Sequence, residues 1–349
     1  MKSIISYKSK ELSTMKVIKN ILMVLVVLYH SMLCSAGGDW GPEEAHNTSM
    51  ALYYIAGYLN RVHIYAFTFV SGYIFSYLFF ETDKYTDFGV VIRKKIMRLI
   101  IPYVSSTVLW VAPFYCFFWK PKAEILVEKY VLGKSPSQLW FLLMLFWQFV
   151  FFQAFSKKIF AKKKTTIVWG VIFVFCLYIG IFLVRNGVPN FYQILTAMQY
   201  ALFFYLGILF RRENFSKYIC YNAFLGGATS VLIYIFIQYL YATQSATREI
   251  EVWLYPIVSL TGVCSFVSGM LLMNDRFAIS TVDFNFDAGM TVYLFHQQLI
   301  YISICLFNSP WMPPMIFTTI NFLVGLLGGV GIHTMMKKNK TMRFLFGLD

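Results

Sequence analysis

The sequence predicts an all-α, polytopic membrane bundle of about ten transmembrane helices with both termini in the cytoplasm, and three observations carry that reading. The first is composition: 58% of the 349 residues are hydrophobic, 19% aromatic and only 13% charged, with a mean hydropathy of +0.62, far from the usage of a soluble domain. The second is segmentation into ten apolar runs, each close to the roughly 20 residues that cross a hydrocarbon layer. The third is the placement of charge. With the N-terminus inside, 23 of the 30 Lys and Arg residues fall in the inner segments, as expected when basic loops stay cytoplasmic, and an odd number of spans would destroy that alternation. The net charge of +14 is therefore a topology signal. The lipid bilayer is the expected partner, nucleic acid is not, and the expected location is the cell membrane.

The runs lie near 18–37, 62–80, 99–118, 139–156, 165–184, 194–210, 218–241, 254–273, 289–307 and 314–336. The first contains KNILMVLVVLYH (19–30) and is followed by LCSAGG, a sequence that imitates a secretory signal. Its removal would leave nine spans, so it is expected to stay. The polar outer segment GGDWGPEEAHNTSM (37–50) leads to ALYYIAGYLN (51–60), which reads as an interfacial stretch before the second run. The basic RKKIMR (93–98) introduces the third run, which carries Pro102 inside it. WKPKAEILVEKYVLGKSPSQLW (119–140) mixes both signs of charge and reads as an outer loop with a short amphipathic helix.

KKIFAKKK (157–164) is the inner hairpin between the fourth and fifth runs. Arg211, Arg212 and Lys217 mark the next inner loop, Arg276 the one after, and Lys337 to Arg343 the inner C-terminus. No soluble domain, repeat or low-complexity tract interrupts the chain, so residues 1–349 read as a single integral-membrane domain. The six cysteines, Cys34, Cys116, Cys176, Cys220, Cys264 and Cys305, are scattered without a C-x-x-C pair. They read as small packing residues rather than as a disulfide or metal framework.

Ionisable side chains inside a span are costly and face the bundle interior or a wet cavity. His30 is the clearest. The eleven-residue step from Lys19, at roughly 100° per residue, falls about 20° past three full turns, so both lie on one helix face about 16 Å apart. Met23 and Val27 lie between them on that face. Lys95 and Arg98 are three apart and hence neighbours at the cytoplasmic surface, where two cations suit a polyphosphate. His63 stands near the outer entry of the second run, and Ser71 and Gly72 follow where small residues allow close helix approach. TVYLFHQQLI places His296 about seven residues into the ninth run, beside Gln297 and Gln298.

Each feature also has a plainer reading. Lys19 serves as a snorkelling anchor, His30 as a packed histidine, and Lys95 with Arg98 as ordinary positive-inside charge; their convergence favours a site. His46 reads as a solvated loop residue and His333 as solvated or interfacial. No metal is expected, because the histidines stand on different runs without a carboxylate cluster.

LVVLYH, VHIYAFTFVSGYIF, RKKIMRLIIPY, QLWFLL and YLFH occur in that order between about residues 19 and 300. In this the chain resembles the integral-membrane acyltransferase 3 family, which includes sugar and polysaccharide O-acyltransferases. The resemblance implies transfer of an acyl group, acetyl first among the candidates, from cytosolic acyl-CoA to a hydroxyl of an extracytoplasmic polysaccharide or lipid-linked sugar. The family's arginine, ten residues, then histidine appears here with Lys19 in the arginine position and His30 as the histidine. Its paired arginines appear as Lys95 and Arg98, with Arg93 nearby to supply a second guanidinium fork.

On this basis His30 is the catalytic residue, as general base or as acylated nucleophile, and Lys19, Lys95, Arg98 and Arg93 hold the acyl-CoA phosphates. His63, Ser71, Trp140 and His296 support the substrates, Trp140 as a platform for a sugar ring. The competing classes are an exporter of lipid-linked sugars and a non-catalytic scaffold. Paired halves with broken helices would mark a transporter, and none is evident. Binding of acyl-CoA discriminates the enzyme from both.

Overall fold

The computed structural model describes residues 2–38, 40–213, 223–243, 248–277 and 287–348. Ten helices are long and apolar enough to cross a membrane, and no strand occurs among the described residues. They are α1 (Lys2–Leu33), α2 (Met50–Phe80), α3 (Phe88–Trp119), α4 (Trp140–Ile159), α5 (Lys163–Arg185), α6 (Ile194–Arg212), α7 (Ala223–Ala242), α8 (Arg248–Phe277), α9 (Gly289–Phe307) and α10 (Pro314–Met336). The chain is a multi-pass membrane protein. Near-uniform apolarity around each helix, rather than a single apolar stripe, is what a lipid-embedded bundle requires.

Two boundaries differ from expectation. The first helix ends at Leu33 instead of residue 37, because the chain turns over through Gly37 at φ +82°, a left-handed conformation that favours glycine. Residues 51–60 are not a separate interfacial stretch but the opening turns of the 31-residue α2. Nothing between Ser49 and Glu81 breaks a helix, and Gly57 is where Tyr234 of α7 closes onto it. The start expected for the seventh run, 218–222, and Cys220 lie outside the described residues. Cys34 is buried, whereas Cys116, Cys264 and Cys305 are exposed on the bundle exterior rather than packed inside.

α2 and α9 form the interior and are mostly buried, whereas α5 and α7 turn most of their surface outward. α2 packs along α6, α1 and α8, while α9 packs along α10 and α1. The α2/α6 crossing is set by glycine. A Cβ on Gly72 would meet the Phe204 carbonyl oxygen at 2.0 Å, and one on Gly207 would meet the Phe69 carbonyl oxygen at 2.0 Å. Small residues at such a crossing let backbones approach and gain dispersion contacts. Gly72→Ala is expected to lower stability by roughly 2–3 kcal/mol through overpacking, read as a lower melting temperature in detergent; an unchanged melting temperature would contradict this packing.

At the basic ends of the same two helices, Arg211 is almost wholly buried and grips Glu81 with Nε at 2.7 Å and Nη2 at 2.8 Å. Its Nη1 donates to the Tyr73 hydroxyl at 2.6 Å. This charge-assisted fork fastens α2 to α6.

α3 is one helix with two π turns, Ile96–Ile100 and Thr107–Val111. Each ends one residue before the position preceding a proline. Ile101 N–H bonds Ile96 O and Ala112 N–H bonds Thr107 O, and Pro102 and Pro113 follow. A proline cannot donate to the carbonyl four residues back, and the wider turn absorbs the misfit. The first of these turns contains Arg98. After α3, residues 123–131 form the short helix expected in the outer loop. A C-terminal helix, Lys340–Leu345, is capped by Asn339 Oδ1 on Thr341 N and Met342 N.

Candidate active site

A cavity of about 770 Å³ opens at the basic end of the bundle. Lys19 of α1 and Lys95 and Arg98 of α3 all line it, together with Met23, Ser71 and Asn20. The Lys95 ammonium lies 3.4 Å from the Phe149 ring centroid and 5.3 Å from that of Tyr85, a cation–π seat that fixes its direction. Lys19 stands 6.0 Å from the Phe67 ring centroid. Arg93 is exposed on α3 and is not a lining residue, so it stands apart from the cations it was expected to join. Val27 also leaves the expected face: it is fully buried against Gly325 of α10, and Met23 alone of the pair reaches the cavity.

Further lining residues were not foreseen. Lys337 and Arg343 come from the C-terminal segment, which folds back so that Gly347 and Leu348 line the same cavity. Gly347 adopts φ +67°, and a Cβ there would stand 2.8 Å from Pro102 Cγ. Lys337 pairs with Asp287 at 3.4 Å on the rim. His333 is buried rather than solvated or interfacial, with Nδ1 3.0 Å from Thr291 Oγ1. The reason is Gly329, one turn earlier, whose missing side chain seats α10 directly on Val292 of α9.

The cavity ends at an aromatic roof. Phe67 meets Phe141 edge to face at 5.1 Å, Phe141 meets Tyr293 at 6.1 Å, and Tyr293 lies 6.2 Å from the next ring, His296. Beyond that roof, His30 and His296 form a direct pair. His30 Nδ1 is 2.9 Å from the Val26 carbonyl oxygen and 3.1 Å from His296 Nε2. His296 is fully buried, its Nδ1 lying 3.0 Å from Val292 O and 2.8 Å from Tyr293 O.

A carbonyl oxygen only accepts, so both Nδ1 atoms carry protons when the rings are neutral. His296 Nε2 is then an acceptor for His30 Nδ1–H. The tautomer left on His30 has a bare Nε2, the arrangement a proton acceptor needs.

Aromatic rings enclose this pair. Trp40 covers His30 at 5.5 Å from the end opposite the basic cavity, and Tyr301 backs Trp40 at 5.0 Å. Tyr29 stands 5.0 Å from His30 and 4.9 Å from His63. Tyr29 therefore touches both rings, and the His63 Nδ1–H goes to Leu59 O. Ser71 lines the cavity, but its hydroxyl donates to Phe67 O at 2.9 Å. Trp140 packs on Tyr200 at 5.7 Å and Phe141 at 5.9 Å, away from the histidine pair.

Gln138 is the positioning residue that sequence reasoning passed over. Its Nε2 donates to Leu294 O at 2.9 Å and to Gln298 Oε1 at 2.8 Å. Its backbone N–H donates to Gln297 Oε1 at 3.1 Å, and its carbonyl accepts from the Tyr293 hydroxyl. The two glutamines beside His296 are thus spent on clamping α9 to the head of α4. The signal was present as a glutamine opening QLWFLL, opposite HQQ.

No curated protein and no solved structure matches the chain. A family model does: the acyltransferase 3 model, described as an acyltransferase domain, matches residues 13–334. That interval holds the ten-helix bundle, the histidine pair and the α1 and α3 cations of the cavity, and nearly the whole chain. The chain belongs to the acyltransferase 3 family of membrane acyltransferases.

Proposed function

We propose that this protein moves an acyl group, acetyl in the first instance, from acyl-CoA in the basic cavity to a hydroxyl of a polysaccharide or lipid-linked sugar arriving from the opposite side. The basic end then faces the cytoplasm of the cell membrane, with both termini there, in keeping with the retention of Lys and Arg on that side. The alignment of a basic cavity with a histidine pair that leaves one nitrogen bare carries this reading.

The nucleotide phosphates rest on Lys19, Lys95 and Arg98, helped by Lys337 and Arg343, since clustered cations at a cavity mouth neutralise a polyphosphate. The thin pantetheine arm runs past Met23 and Ser71. The Phe67–Phe141–Tyr293 roof must part for the thioester to reach His30, and its closed state keeps water from a reactive ester.

His30 Nε2 takes the proton of the acceptor hydroxyl as that oxygen attacks the thioester carbonyl. The tetrahedral intermediate collapses, the carbon–sulfur bond breaks, and the imidazolium returns the proton to the departing thiolate. While charged, the ring donates Nδ1–H to Val26 O and His296 Nε2, which stabilises the imidazolium as it forms.

The direct test is transfer from labelled acetyl-CoA to a glycan acceptor in proteoliposomes, with acetyl-CoA binding measured alongside; a folded protein that does not bind acetyl-CoA would overturn the reading. Arg98→Ala is expected to raise the KM for acetyl-CoA about tenfold with kcat near the unmodified value, because a phosphate contact far from the reacting atoms contributes uniform binding. An unchanged KM would remove Arg98 from the phosphate site.

A further inference from the structure

A general base that can deprotonate a sugar hydroxyl can equally deprotonate water. A thioester brought to the bare Nε2 of His30 would therefore hydrolyse unless water were kept away. On the basic side the donor supplies its own plug, because a pantetheine arm that has parted the Phe67–Phe141–Tyr293 roof fills the opening it makes. On the opposite side, only the side chains around His30 stand between the ring and solvent.

Trp40 is the foremost of these. Its indole lies 5.5 Å from the His30 ring at an interplanar angle of 32° and covers it. The indole is half-buried, and its loop neighbours Gly37, Gly38, Glu43 and Glu44 are exposed, so it lies at the boundary between the histidine pair and the outer solvent. The backbone around it is fastened to the connection between α9 and α10. Asn47 Nδ2 donates to Pro310 O at 2.7 Å and to Met312 O at 3.2 Å. Asn308 Nδ2 donates to Glu44 O at 2.8 Å, and its Oδ1 accepts from the His46 N–H at 3.2 Å. Gly41, next to Trp40, has φ +116°, and a Cβ there would stand 3.0 Å from Ile304 Cδ1, so the chain passes directly over α9. Tyr301, which backs the indole, is itself buried and accepts from Gln297 Nε2. With the frame fixed, what can turn aside is the indole, by rotation about its own side-chain bonds.

We infer that Trp40 decides which nucleophile reaches the acyl group: its indole seals His30 against water from the outer side and yields to the acceptor. The inference rests on the reading of His30 as the transfer base, and goes beyond it by assigning discrimination against water to a residue that neither holds phosphate nor handles the proton. A sugar can displace the indole because its apolar ring face packs on the aromatic it exposes. A single water molecule makes no contact that offsets the exposed apolar area. Without the indole the expected reaction is hydrolysis. Water gives a proton to His30 Nε2 as its oxygen attacks the thioester carbonyl, the carbon–sulfur bond breaks, and the imidazolium protonates the departing thiolate. The products are the CoA thiol and the carboxylic acid, which ionises in solution.

The test measures free acetate released from labelled acetyl-CoA by the full-length protein in proteoliposomes with no acceptor present. Trp40→Ala is expected to raise the release about tenfold or more, a barrier lowered by roughly 1.4 kcal/mol. Trp40→Leu and Trp40→Phe are expected to follow in descending order, as more of the cover is kept. Lost packing alone lowers every activity, so a gain of hydrolysis is a readout that a structural role does not produce, and the Leu and Phe variants carry the test if the Ala variant folds poorly. Adding His30→Ala to Trp40→Ala is expected to abolish the gain. Release that stays at the unmodified level in the folded Ala and Leu variants, or a gain that persists without His30, would overturn the proposal. Acetyl-CoA binding by the unmodified protein separates the two readings. Its absence defeats the transfer reaction itself; binding and transfer with no gain of hydrolysis defeat only the role of Trp40.

Discussion

His30→Ala is expected to lower acyl transfer by about 10²- to 10⁴-fold, the range over which a positioned general base acts, with acetyl-CoA binding unchanged. The two readouts part because the nucleotide cavity ends at Met23, Phe67, Phe141 and Tyr293, on the far side of the aromatic roof from the His30 ring. A structural role for His30 would move both together, since a collapse of α1 would also displace Lys19 and Met23. Turnover retained by a folded alanine variant would end the assignment. The same preparation tests the covalent alternative: with labelled acetyl-CoA and no acceptor, a general-base mechanism leaves no stoichiometric label on the protein, whereas an acyl-histidine intermediate would.

How much of this site was legible in the sequence depends on how local each relation is. Lys19 and His30 could be placed on one face because helical phase is fixed by backbone geometry, and Met23 lines the cavity as that phase requires. Val27 escaped because its neighbour Gly325 on α10 admits it, and no pattern within α1 reports that. The His30–His296 bond joins residues 266 positions apart; three adjacent polar residues in the ninth run signalled a polar role without naming the partner. Lys337 and Arg343 looked like ordinary positive-inside charge because the return of the C-terminal segment depends on Gly347 fitting against Pro102. The π turns of α3 were implicit in its two prolines, but their effect on Arg98 became readable only once α3 and α4 packed around the cavity.

His296→Leu is expected to cost about 10²-fold in kcat with the KM for acetyl-CoA unchanged, and His296→Gln to recover most of that loss. His296 touches neither the proposed donor cavity nor the acceptor route, and acts through His30. Its backbone bonds to Val292 O and Tyr293 O fix the proton on Nδ1 and present Nε2 as an acceptor. In that state it selects the His30 tautomer with a bare Nε2 and holds the imidazolium once it forms. Leucine fills comparable volume but accepts no hydrogen bond, so His30 keeps only the Val26 carbonyl, and both the wrong tautomer and a rotated ring become accessible. Glutamine returns an acceptor oxygen at similar reach. A purely structural role predicts a different order: glutamine, polar and buried without the imidazole's backbone bonds, would then be the more damaging replacement, and leucine the milder. The ranking of the two variants in kcat, at matched folding and matched donor KM, therefore decides whether the second histidine positions the first or merely packs beside it.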